Sequence, residues 1–182
     1  MQSGPDTLAG MRAIRPAVPE DAPAIARVHG ESWRTTYRGI FPQGLLDRLS
    51  IEDRARLWND LLANPHARSV TIVGCDETGQ VVGFASGGEE RTGRLGHDGE
   101  LQAIYLLDGA QKRGLGTLLI RRFASELRTL GFNSIAVWVL ARNPARKFYE
   151  ALGAREIAQQ QIERGGESYT EIAYGWSDLR GL

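Results

Sequence analysis

Residues 110–119, AQKRGLGTLL, place Gly114 and Gly116 one residue apart behind a basic pair, Lys112 and Arg113. The apolar residues before them read as a strand and those after them as a helix, so the glycines fall at a strand-to-helix turn. The first turn of a helix carries unpaired N–H groups and the positive end of the helix dipole. Glycines there remove the Cβ atoms that would fend off a bulky anion, and the guest that suits such a turn is a phosphate or pyrophosphate. The stretch lacks the Gly-x-x-x-x-Gly-Lys-Ser/Thr of a P-loop. Leu119 stands where a dinucleotide fingerprint needs its third glycine. A tight turn that only packs helix against sheet accounts for the two glycines equally well.

Other residues could add chemistry to that turn. Glu100 puts a carboxylate on the otherwise apolar run ELQAIYLL, residues 100–107. Strand alternation predicts that it shares a face with Gln102, Ile104 and Leu106. Partial burial would raise its pKa into a working range; a strand-end charge in water is the plainer reading. Trp33 and Tyr37 sit four residues apart and can form an aromatic wall for an ammonium or an apolar group, or simply pack in the core. Cys75 has no evident basic partner and reads as a small buried hydrophobe.

These residues need elements to position them. Residues 12–15 read as a strand ended by Pro16, and residues 18–39 as a helix with Ile25, Ala26, Val28, His29 and Trp33 at helical spacing. Ser50 and Asp53 resemble a capping box, opening a helix to about Ala63 with Leu57, Leu61 and Leu62 as anchors. Residues 69–90 read as a hairpin, followed by a loop from Gly87-Gly88 to Gly99. After the strand at 100–107 comes a helix over 113–130, ended by Gly131. SIAVWVL, residues 134–140, is apolar on both faces, as a central strand is. Asn143-Pro144 caps a short helix that Gly153 ends, and a hairpin turning at Gly165-Gly166 completes the chain.

The predicted order is β-α-α-β-β-β-α-β-α-β-β, an α/β protein with a mixed sheet, the strands flanking the long helix being parallel. One domain is expected over 11–177, with a leader at 1–10, a tail at 178–182 and Met11 as a second possible start. The chain has 182 residues, with 22 Lys and Arg against 22 Asp and Glu. That gives no basic excess for nucleic acid. A single cysteine excludes an internal disulfide, and three scattered histidines offer no ligand spacing, so no metal is expected. No apolar run approaches the ~20 residues of a membrane span, and no signal pattern opens the chain, so a cytoplasmic protein is expected.

Gln111-Lys112-Arg113-Gly114-Leu115-Gly116 resembles the Gln/Arg-x-x-Gly-x-Gly/Ala pattern of the GNAT superfamily of acyl-CoA-dependent N-acetyltransferases. ELQAIYLL resembles the strand that precedes that pattern, and NPARKFYEALGA, residues 143–154, resembles the family's Asn…Phe-Tyr-Glu…Leu-Gly segment. The resemblance covers residues 11 to about 176, including the order of elements. Leu107-Asp108-Gly109 departs from the usual Leu-x-Pro, Lys112 replaces a common glycine, and Asn143 stands six residues before Tyr149 where many members have seven.

The resemblance implies a GNAT fold with acetyl-CoA as co-substrate, its pyrophosphate held by Gln111, Lys112, Arg113, Gly114, Leu115, Gly116 and Thr117. Ile104 and Leu106 would lend main-chain groups to the acetyl carbonyl and the pantetheine arm, and Asn143 would add a coenzyme contact. Tyr149 falls on the family's acid, whose phenol protonates the leaving thiolate. Glu100 stands near a glutamate that some members carry as base, with Glu89, Glu90 and a water chain as rivals. Trp33 and Tyr37 would line the pocket of the acceptor, a primary amine of a small molecule or peptide. A homodimer is common among relatives. The competing reading is a non-catalytic acyl-CoA-binding or sensor module.

Overall fold

The computed structural model describes residues 11–182, and the expected leader at 1–10 lies outside them. Seven strands form one sheet: β1 (Met11–Pro16), β2 (Ser69–Asp76), β3 (Val81–Glu89), β4 (Gly99–Leu106), β5 (Ile135–Leu140), β6 (Arg155–Arg164) and β7 (Glu167–Trp176). Their order is β1-β2-β3-β4-β5-β7-β6, antiparallel except for the β4–β5 pair. The helices are α1 (Ala22–Thr36), α2 (Gln43–Asp47), α3 (Ile51–Ala63), α4 (Leu115–Thr129) and α5 (Arg146–Ala151). The predicted order is found, with the short α2 added. Residues 178–182 turn back, burying Leu179, whose N–H donates to the Asn133 carbonyl at 2.9 Å.

Strand alternation divides the core. Ile72, Ala85 and Leu101 pack with the apolar face of α4, namely Leu119, Ile120, Phe123 and Leu127. Val73, Cys75 and Phe84 pack on the other side against α1 and α3. Ser50 caps α3 as predicted, its Oγ accepting from the Asp53 N–H at 3.0 Å. The anchors of α3 differ from those expected. Leu57 and Leu61 are exposed, whereas Trp58 is buried. The indole is drawn in by two partners, donating from Nε1 to His29 Nδ1 at 3.2 Å and packing edge-on against Phe84. That rotation puts Ile51, Ala55, Trp58 and Leu62 inward.

Gly87 and Gly88 belong to β3 and not to the loop after it. A Cβ on Gly87 would overlap the Glu100 carbonyl oxygen, so glycine lets β3 and β4 stay paired there. At this point the register slips: Ser86 pairs with Ala103 but Gly87 with Leu101, leaving Gln102 as an extra residue on β4. Such a bulge reverses the alternation. Leu101, Ile104 and Leu106 all lie on the α4 side, and Ala103 and Tyr105 on the α1 side. Glu100, adjacent to Leu101, therefore faces α1. The common face expected for Glu100, Gln102, Ile104 and Leu106 is not formed. Immediately beyond, β4 and β5 part. Their pairing is confined to Gly99–Ile135 and Glu100–Ala136.

Gly87→Ala should cost at least about 2 kcal/mol, because the overlap is with backbone that cannot rotate away; urea unfolding within 0.5 kcal/mol of the parent would contradict this register. Burial, and secondarily Arg54, lowers the His29 pKa from 6.5 to about 3. Protonation of His29 then favours the unfolded chain, so its contribution is full above pH 6.5 and is lost as pH falls towards 3. Between pH 7.5 and pH 5 the loss should reach about 2 kcal/mol. Unfolding curves of the parent and of His29→Asn should diverge in their pH slope by that amount, and equal slopes would show that His29 is not held neutral.

Candidate active site

The parting of β4 and β5 opens a cleft of about 960 Å³ through the sheet, with Gln102, Ala103, Ile104 and Tyr105 on one wall and Val137, Trp138 and Val139 on the other. The Leu107 N–H donates to the Val82 carbonyl at 2.9 Å, so β4 turns its odd-numbered main-chain groups to β3 over this stretch. The N–H groups of Ile104 and Leu106 accordingly face the gap, where β5 has withdrawn. Main-chain donors without a strand partner need another acceptor. The Leu106 carbonyl has its own donors, Ser32 Oγ at 2.9 Å and Gln111 Nε2 at 3.1 Å.

At one end of the cleft α4 begins. Lys112, Gly114, Gly116 and Thr117 line it there. Gly114 caps α4 at φ +83°, a conformation that favours glycine, and no side chain caps the helix. The N–H groups of Leu115, Gly116 and Thr117 have no acceptor among the described residues. Lys112 reaches positive φ as well, at 59°. Gly116 has a packing duty: a Cβ there would come within 3.1 Å of the Phe148 ring. Of the other residues expected at this end, Leu115 is a core residue and Arg113 is exposed, and neither lines the cleft. Gln111 lines it, and its side chain ties the end of β4 to the turn through Leu106 and Asp108.

On the β5 side, Asn143 caps the segment into α5, its Oδ1 accepting from the Ala145 N–H at 2.9 Å, and it also lines the cleft. Tyr149, on α5, is 5% exposed and lies edge-on to Trp176, with centroids 6.0 Å apart. Its hydroxyl has no hydrogen-bond partner among the described residues and lies in the cleft wall. Burial, and next the neighbouring Tyr37, push its pKa well above the usual tyrosine range, so it holds its proton at all working pH values.

Across the gap Tyr37 and Tyr105 meet hydroxyl to hydroxyl at 3.1 Å. Tyr105 stacks on the neutral ring of His29, centroids 4.9 Å apart, which ties the cleft wall to the core under α1. Tyr37 lines the cleft. Trp33 does not; it packs behind Tyr37 and Phe41, in a cluster with Leu46, Leu140 and Tyr169 that closes this end.

Glu100 is not in the cleft lining. It is 1% exposed and gripped by Arg91, whose Nε and Nη2 fork onto its two oxygens while the Arg91 N–H adds a third bond at 3.3 Å. The bulge at Gln102 is what turns it away from Ile104. Glu89 pairs with Arg68 at 2.8 Å, and Glu90 holds the turn of Thr92. The one carboxylate in the lining is Asp108, which accepts from Thr35 and Gln111 near the start of α4. Among the described residues no cluster of three or more potential metal ligands is present, and no helix is long and apolar enough to cross a membrane.

Gln102, Tyr105 and Phe148 are cleft residues that sequence reasoning did not select for the site. Alternation along β4 set Gln102 beside Ile104 and Leu106 and Tyr105 opposite them; the extra residue at Gln102 is what alternation could not supply.

A family model described as the Acetyltransferase (GNAT) family matches residues 30–154. The uncharacterized N-acetyltransferase YuaI of Bacillus subtilis is 40% identical over 174 residues, covering 94% of this chain and 96% of that protein. Solved structures share the fold at low identity. YncA from Salmonella typhimurium, with its cofactor acetyl-CoA, superposes with a TM-score of 0.68 at 21% identity, covering 93% of this chain and 94% of that one. The PaiA N-acetyltransferase of Thermoplasma acidophilum, in complex with coenzyme A, gives 0.63 at 16% identity, covering 88% and 96%. A family match over most of the chain and a relative aligned nearly end to end stand beside this site, where two strands part at a helix start that no side chain caps: this protein belongs to the GNAT family and is an acetyl-CoA-dependent acetyltransferase.

Proposed function

We propose that this enzyme acetylates the primary amine of a small molecule or peptide, with both substrates held in the cleft at once. The reading is carried by the open β4–β5 gap, which joins unpaired main-chain donors on one strand to a lone tyrosine hydroxyl on the opposite wall. Acetyl-CoA supplies the acetyl group, the amine nitrogen forming the new C–N bond as the C–S bond breaks. The free N–H groups of Leu115, Gly116 and Thr117, with Lys112 beside them, suit the diphosphate. The N–H groups of Ile104 and Leu106 suit the thioester carbonyl and the pantetheine amides. A donor aimed at a developing oxyanion is worth about 3 kcal/mol where one has been removed. The side-chain nitrogen of Asn143 can add a coenzyme contact while its oxygen caps the helix.

Tyr149 gives its proton to the departing thiolate and regains one from solvent. Its raised pKa keeps the proton in place until a strong base forms beside it. Tyr37, stiffened by Trp33 and Tyr105, forms the acceptor wall. The proton that the amine releases leaves along the open cleft, because Glu100 is closed off by Arg91. Holding both reactants in one gap makes a covalent enzyme intermediate unnecessary.

Tyr149→Phe should lower kcat about a hundredfold and leave the dissociation constant of acetyl-CoA within twofold of the parent. Thiol release measured against amino acids, polyamines, aminoglycosides and short peptides checks this. Tight coenzyme binding with no turnover in either protein would instead indicate a non-catalytic acyl-CoA-binding module.

A further inference from the structure

The loop between β3 and β4, residues 90–98, lies at the end of the sheet where β4 and β5 are still paired, and none of its residues lines the cleft. The loop is firmly built. Glu90 accepts from the Thr92 N–H at 2.8 Å and its hydroxyl at 2.7 Å. Asp98 accepts from the Asn133 N–H at 2.7 Å, and the Asp98 N–H donates to Ser134 Oγ at 2.9 Å. The His97 ring lies over Gly175, where any side chain would collide with it. The loop thus reaches β7 at Gly175, the register partner of Ala136 on β5.

Arg91 is the functional oddity of this loop. Its partner Glu100 is 1% exposed, yet its own side chain is 61% exposed. The fork onto Glu100 uses Nε and Nη2, and Nη1 has no partner among the described residues. A buried carboxylate here fixes the plane of an accessible guanidinium. Glu100 stands on the last paired step of β4 and β5, and the next residue, Leu101, lines the cleft, so Arg91, which does not itself line the cleft, is held beside the apex of the gap. Glu171, on the same face of β7 as Tyr169, acts electrostatically on both Arg91 and Tyr37 but forms no ion pair with Arg91. Among the residues lining the cleft itself the cation is Lys112, at the far, coenzyme end.

We propose that Arg91, pinned by Glu100, binds a carboxylate of the acceptor, so that the favoured substrates are amines carrying a carboxylate close to the reacting nitrogen, as in an α-amino acid. A guanidinium whose plane is already fixed loses little freedom on taking such a group. Nη1 and the second Nη2 hydrogen, left free by Glu100, present an edge that a planar carboxylate can take, while Glu90 and Glu171 nearby disfavour a dianionic phosphate more strongly than a monoanion. The proposal rests on the amine-acetyltransferase reading above.

The test is thiol-release kinetics with matched acceptors: a set of amino acids, their carboxamides and their decarboxylated amines. Rates are compared at equal concentrations of unprotonated amine, because an α-amine beside an amide titrates at about 7.7–8.0. The parent should favour the carboxylate-bearing member by about tenfold or more in kcat/KM. Arg91→Lys should retain part of that preference, and Arg91→Gln should abolish it through KM, with the acetyl-CoA dissociation constant unchanged. Because Arg91→Gln leaves Glu100 buried without its cation, the double variant Arg91→Gln/Glu100→Gln provides a folded neutral pair, and it too should lack the preference. Equal rates for all three acceptor types in the parent, or a preference that survives in both variants, would overturn the role of Arg91 and leave the amine-acetyltransferase reading intact. No turnover of any amine, despite coenzyme binding, would overturn both.

Discussion

Two parallel strands that pair over only two register positions and then separate leave main-chain groups with nowhere to bond. A buried donor without an acceptor costs about 1–3 kcal/mol, so the gap between β4 and β5 is stable only because solvent or a ligand can reach it. The extra residue at Gln102 accompanies the separation and determines what faces it. It keeps Leu101, Ile104 and Leu106 on the α4 side while Glu100 turns to α1. Gly87, lying against the Glu100 carbonyl, lets β3 follow β4 through the bulge.

Around that gap the chemistry is divided between two faces of the sheet. The start of α4 offers unpaired N–H groups, and its glycines serve two separate needs: Gly114 the left-handed turn, Gly116 the approach of Phe148. The α1 side is aromatic, with Tyr37 and Tyr105 hydrogen-bonded to each other and backed by His29 and Trp33. Tyr149 stands between the two, buried and protonated. Rigidity behind these residues matters because misplacement of a reacting group by an ångström can cost 10²-fold in rate.

Much of this was legible in the sequence because it is local. Ser50 announces α3 by a cap whose bond spans three residues. Gly131, Gly153 and the Gly165-Gly166 turn all adopt the positive φ that their positions suggested. The strand–turn–helix at 99–129 and Tyr149 on the following helix carry the family pattern. What could not be read depends on partners far along the chain. The inward face of α3 is chosen by His29 and Phe84, which pull in Trp58 over the leucines. Gly87 and Gly88 look like a loop until a paired backbone is seen to need the space. The orientation of Glu100 hangs on a register slip between β3 and β4 that no alternation rule within β4 contains.

The central claim is that the β4–β5 gap and the first turn of α4 together form the coenzyme site. A crystal structure with coenzyme A bound tests it most directly. The account predicts the diphosphate on the N–H groups of residues 115–117 and the pantetheine arm lying between β4 and β5, bonded to the main chain of Ile104 or Leu106. Coenzyme A bound elsewhere on the protein, with these amides still free of it, would contradict the account.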